Sequence, residues 1–251
     1  MKTLTSLRHL LRGTSIASIA ALSVLALGIV IPATALAASS QLCGANDVKC
    51  VISYGDQFIA QRQASLTKLN NTVTSQKNEG HITGDQANTL QTDVSINQNN
   101  LAALKTKLDA ETNASAARQD VSNIFTVFRI YLVVLPRDTR ELYLDIEFNL
   151  KNKMKALEPQ IQQAISKAPA SEQAQLKALF NDYTTQISTT ETQFDAVNAN
   201  LPALTPPNFD ANPSGYAASF SVIRTAEQTI HTDLHQAGSD LHQIAQLLKT
   251  K

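Results

Sequence analysis

Residues 124–136 (Ile-Phe-Thr-Val-Phe-Arg-Ile-Tyr-Leu-Val-Val-Leu-Pro) form the densest apolar run outside the N-terminus. They hold two of the eight Phe and one of the five Tyr. Long polar segments with apolar residues at helical spacing lie on both sides. Helices that bury only a narrow stripe stay marginal unless the stripes share a partner. The run therefore reads as a central spine for the flanking helices. From Ile130 to Leu135 it is apolar or β-branched on every side, and Pro136 disfavours the α region for Leu135. A short extended crossing near 130–136 is the expectation. Arg129, the one charge in the run, should either pair with a carboxylate across the bundle or reach solvent along its aliphatic stem.

The flanking stripes give the fold class. Asn46 or Asp47 can cap a helix reaching about Gln76, with Val51, Tyr54, Phe58, Leu66, Leu69 and Val73 on one face. Asn78-Glu79-Gly80 ends it. Thr83 to Gln86 has a capping-box pattern. Leu90, Val94, Leu101, Leu104 and Leu108 follow, mostly at coiled-coil steps of four and three. Residues 46–112 are thus expected to form an antiparallel hairpin, and 115–251 a helical bundle. There, Asp138 and Glu141 suggest a second capping box, Pro159 should kink the helix that follows, and Ser171 should cap the next. Residues 201–213, with Pro202, Pro206, Pro207 and Pro213, read as a loop. Asn212 with Pro213 at the first helical position opens the last helix. Eight glycines are too few for a turn-rich all-β fold. The expected class is all-α: an elongated multi-helix bundle with long antiparallel hairpins and coiled-coil character.

The N-terminus reads as an export signal over residues 1–37. Lys2, Arg8 and Arg12 precede an almost unbroken apolar stretch over 16–31. Pro32 then breaks it, and Ala35-Leu36-Ala37 is a small-x-small cleavage pattern. The alternative is an uncleaved anchor, for which about 16 apolar residues is short against the roughly 20 a span needs. Cleavage leaves a single helical domain over 38–251. Three of the 21 basic residues fall in the leader, so 18 remain against 21 acidic ones. That balance argues against nucleic acid and against polybasic docking on an anionic bilayer. Both cysteines, Cys43 and Cys50, lie at the mature N-terminus. In an oxidising compartment such a pair is most simply a disulfide.

Other site chemistry is sparse. Gly80-His81-Ile82-Thr83 with Gln86 matches the second half of a calcium loop, but Ser75, Lys77 and Gln86 stand where its carboxylates would be. His231 and His235 are four apart on one helix, beside Glu227, with His242 further on. They are candidate zinc or copper ligands, although Thr232 occupies the position where a zinc-protease motif needs Glu. One helix supplies only two ligands, so a polar flank is the simpler reading. Asp145 and Glu147 are two apart, on different helix faces, and do not form an acid–base pair. No catalytic set and no cofactor are expected.

Phe128 to Pro136 resembles an aromatic-Arg-Ile/Val-Tyr, apolar-run, Pro segment in a loose group of uncharacterised exported bacterial α-helical, coiled-coil-like proteins. Gly-x-Ile-Thr-x-x-Gln-Ala at residues 80–87 looks like turns common in secreted bacterial helical hairpins. The resemblance implies export and a coiled-coil-like build, and it transfers no active site. The expected function is non-enzymatic: a structural or protein-interaction role at the bacterial cell envelope or outside the cell, with an unknown envelope protein as partner. No membrane contact is expected after cleavage. One alternative is a membrane-active protein inserting residues 124–136. The other is a metal-binding protein using His231 and His235.

Overall fold

The computed structural model describes residues 43–249; the leader call at 1–37 lies outside them. Among the described residues the chain is all-α, with eight α-helices and no strand. They are α1 (Val48–Asn78), α2 (Gly84–Asp109), α3 (Ala114–Thr126), α4 (Leu135–Lys155), α5 (Glu158–Ser166), α6 (Ala170–Asn200), α7 (Pro206–Ala211) and α8 (Pro213–Leu247). A π-helical turn, Ile130–Val134, precedes α4, and a 3-10 turn, Leu201–Ala203, precedes α7. The chain divides into two compact units, 43–146 with Asn200–Ser221, and Glu147–Ala199 with 222–249. The expected boundary at 112–115 falls inside the first unit.

In the first unit, local chemistry sets the helix ends. Asp47 caps α1 by accepting the Cys50 N–H at 3.0 Å. At the other end Gly80 takes φ 72°, which lets its N–H reach the Lys77 carbonyl and the His81 N–H reach that of Gln76. This pairing satisfies carbonyls that the helix end would leave open. Three rungs join α1 to α2: Gln91 to Thr74 at 3.0 Å, Gln98 to Thr67 at 3.0 Å and Lys105 to Asp56 at 2.7 Å. The numbers rise on α2 as they fall on α1, so the two helices run antiparallel. At Gly55 a Cβ would lie 2.5 Å from Leu108 Cδ2 and 2.8 Å from Val121 Cγ2, so glycine permits the approach of α1 to α2 and α3. Ile59, Leu66, Leu101, Leu108, Ile124 and Ile130 join one core cluster there.

The spine run corrects two expectations. Residues 130–134 wind as a π-turn instead of extending, and Leu135 is in the right-handed α region with its N–H on the Ile130 carbonyl. Ile130, Val133 and Val134 are all buried. Helical winding can turn positions i, i+3 and i+4 inward together, whereas an extended chain would point 133 and 134 to opposite sides. Pro136 becomes the second residue of α4, where its fixed φ fits the helical winding. For the same reason Asp138 is not a cap, since the helix has already begun at Leu135. Arg129, just before the turn, is left-handed at φ 47°. It takes the carboxylate alternative: Nε and a terminal nitrogen both donate to Asp210 Oδ1, at 3.1 and 2.6 Å. Its guanidinium lies 5.0 Å from the Phe209 ring centre.

Residues 201–213 are not the expected loop. Thr205 caps α7 by accepting the Asn208 N–H, and Pro206 and Pro207 occupy its first turn, where they are tolerated. Asn212 accepts the Gly215 N–H at 3.0 Å at the start of α8, as expected.

The second unit buries Ile161 and Ile165 of α5, Leu176, Tyr183, Ile187 and Phe194 of α6, and Ile223, Ile230 and Ile244 of α8. Pro159 divides the expected kinked helix into α4 and α5. The break exposes carbonyls of the last α4 turn, and the Tyr183 hydroxyl donates to that of Met154 at 2.6 Å. Ser171 is not a cap, because α6 starts one residue earlier.

Candidate functional site

Cys43 and Cys50 are joined in a disulfide. Arg118 of α3 donates to the carbonyls of Cys43 at 3.2 Å and Gly44 at 2.9 Å, so the small loop is tied to the bundle.

A group of buried and half-buried charges centres on α4 within the first unit. Arg137 Nε donates to Asp138 Oδ1 at 2.7 Å, and a terminal nitrogen is ion-paired with Asp93 of α2. Another nitrogen approaches the Leu204 carbonyl at 3.5 Å. Asp138 is fully buried, and among the described residues its Oδ2 has no hydrogen-bond donor. Glu141 and Asp145 follow at helical spacing on the same side. Asp145 Oδ1 accepts the Gln86 amide at 2.8 Å, and Gln86 Oε1 accepts the Thr83 N–H at 2.8 Å. One guanidinium is thus paired with Asp93 and Asp138, while Asp145 is held by the Gln86 amide. Burial pushes Asp138 up to about 7, partly offset by Arg137. Burial and the Glu141 charge push Asp145 up to about 7. Glu141 is raised too, chiefly by burial.

A smaller acid group lies in the second unit. Glu147 stands 3.3 Å from His231 Nδ1, and burial together with the Glu227 charge pushes its carboxyl up to about 8. The structure thus brings His231 to Glu147 and leaves His235 exposed on the surface of α8. Among the described residues no group of three or more His, Cys, Asp or Glu is placed to hold a metal ion. Asp145 and Glu147 point to different partners, in line with the different faces read from their spacing.

Arg62 of α1 is only 2 % exposed. Its guanidinium lies 4.5 Å from the Phe125 ring centre, 4.8 Å from Tyr131 and 5.6 Å from Phe58. A terminal nitrogen donates to the Phe58 carbonyl at 3.0 Å, and burial lowers the pKa to about 10. Among the described residues the three rings, and no carboxylate, surround the cation.

Sequence reasoning missed both the acidic line and the Arg62 box. The spacing of Asp138, Glu141 and Asp145 beside the apolar Leu142 and Ile146 was the available signal for the first. No protein-family model, curated protein or solved structure matches the chain.

Proposed function

We propose that this is an exported, non-enzymatic helical bundle, with coiled-coil-like pairing of its long helices. It serves a structural or protein-interaction role at the bacterial cell envelope or outside the cell. The observation that carries the reading is the Cys43–Cys50 disulfide. Such bonds persist in oxidising compartments and are rare in a reducing cytosol. The leader pattern over residues 1–37 supports the same reading. The test is fractionation of cells expressing the full chain, with thiols trapped at lysis. The protein should appear in the envelope or the medium with both cysteines oxidised. Reduced protein in the cytoplasm would overturn the proposal.

A membrane-active role has one observation in its favour. Val127 and Leu132, at the irregular junction before α4, are 57 % and 51 % exposed. Against it, Ile124, Ile130, Val133 and Val134 of the same run are buried. No described helix is long and apolar enough to cross a membrane. Leakage from anionic lipid vesicles would favour the membrane role, and intact vesicles would favour the bundle role.

A further inference from the structure

We propose that Asn113 is an N-glycosylation acceptor, whose side-chain nitrogen takes an oligosaccharide from a polyprenyl diphosphate carrier through an oligosaccharyltransferase. The proposal rests on the exported reading, because such carriers are presented on the exported side of a membrane.

The chain holds three Asn-x-Ser/Thr triplets: Asn70-Asn71-Thr72, Asn113-Ala114-Ser115 and Asn212-Pro213-Ser214. Pro213 rules out the last, since the middle residue of an acceptor triplet is never proline. The structure separates the other two. Asn70 is half-buried inside α1, and the Thr72 hydroxyl donates to the Lys68 carbonyl at 3.0 Å. Presenting that triplet means unwinding a helix whose Leu66, Leu69 and Val73 belong to the core. Asn113 lies instead in the turn between α2 and α3, with extended backbone at φ −116° and ψ 125°. Thr112, Asn113 and Ser115 are exposed. Ala114 is buried, so the first turn of α3 has to fray before the triplet enters an enzyme cleft. Helix ends are where such opening costs least.

The carboxamide geometry suits transfer and survives it. Asn113 Oδ1 accepts the N–H groups of Ser115 at 2.8 Å and Ala116 at 3.2 Å. Both bonds fall on the oxygen, which leaves the nitrogen, on the other arm of the planar amide, for the reaction. Donors on the oxygen also favour the deprotonated amide, whose charge rests largely there. In the transfer a bond forms from Nδ2 to the anomeric carbon as the bond from that carbon to the diphosphate oxygen breaks. The polyprenyl diphosphate leaves with the electron pair, and one Nδ2 proton passes to a base of the transferase. The product keeps Oδ1, so the sugar leaves the α3 cap in place. Glu111, two residues earlier, sets a carboxylate on the same turn for a basic group of the enzyme.

The test is transfer in vitro to the purified, oxidised full chain. It uses a bacterial single-subunit oligosaccharyltransferase and a polyprenyl-diphosphate oligosaccharide, and is read by intact mass and peptide mapping. The chain should gain one glycan, on Asn113. Asn70→Gln should still accept it. Ser115→Ala should not, although its backbone N–H keeps the cap, and Ser115→Thr should. The leader plays no part in this reaction, so a negative result leaves the exported reading standing, and cell fractionation can fail while transfer succeeds. A folded chain that stays unmodified would overturn the proposal, as would a glycan on Asn70 instead or transfer to Ser115→Ala.

Discussion

Gln86 binds Asp145 through its amide nitrogen and the Thr83 backbone through its amide oxygen, so one side chain both caps α2 and ties it to α4. The cap is local and follows from sequence. The tie is tertiary. Replacing Gln86 by Ala removes both and should lower stability by about 1–2 kcal/mol. Thermal unfolding followed by circular dichroism measures it, and an unchanged melting temperature would show that neither bond contributes.

The π-turn separates inward from outward residues within three positions. Ile130 is buried in the core of the first unit, and Leu132 is half exposed. Ile130→Ala should cost about 3 kcal/mol, and Leu132→Ala less than about 0.5 kcal/mol. Denaturant midpoints of the two variants compare them directly. Equal losses would mean that the turn does not present these faces.

Gly55 lies at a close approach of α1 to α2 and α3. Gly55→Val places methyl groups against Leu108 and Val121 and should cost about 2–3 kcal/mol. Gly55→Ala should cost less, because alanine's better helix propensity offsets part of the crowding. A stabilised Gly55→Val protein, read from its denaturant midpoint, would contradict the packing.

Glu147 supplies a pH prediction in the second unit. Its carboxyl keeps a proton up to about 8, whereas an unfolded Glu loses it near 4.5. Between those values the folded state binds more protons, so stability falls as pH rises. Glu147→Gln should match the parent at pH 4 and be the more stable of the two at pH 9, by up to about 5 kcal/mol. Urea titrations at both pH values give the comparison. A variant equally destabilised at both would point to a packing role only.

Sequence reading succeeded where a few neighbouring residues decide the outcome. Asp47, Thr83 and Asn212 each cap the helix their spacing implies, and the apolar stripes supply the buried faces. It failed where a later residue is reinterpreted by context. Asp138 has the side chain of a cap, yet winding already started at Leu135 carries it into the core beside Arg137. Pro136 reads as a barrier to helix, yet it lies inside continuous winding from the π-turn into α4. The acidic line needed the placement of Asp93 and Gln86, far away in sequence, against one face of α4. Arg62 lies among polar residues between Phe58 and Leu66, and only the fold shows that rings from α3 and the π-turn enclose it.

The most direct test of the exported, oxidised bundle is the intact mass of the protein recovered from the producing cells, with and without reductant. The account predicts a chain beginning near Ala38, with no alkylatable thiol until Cys43 and Cys50 are reduced. A chain retaining Met1, with both cysteines alkylated without reductant, would contradict it.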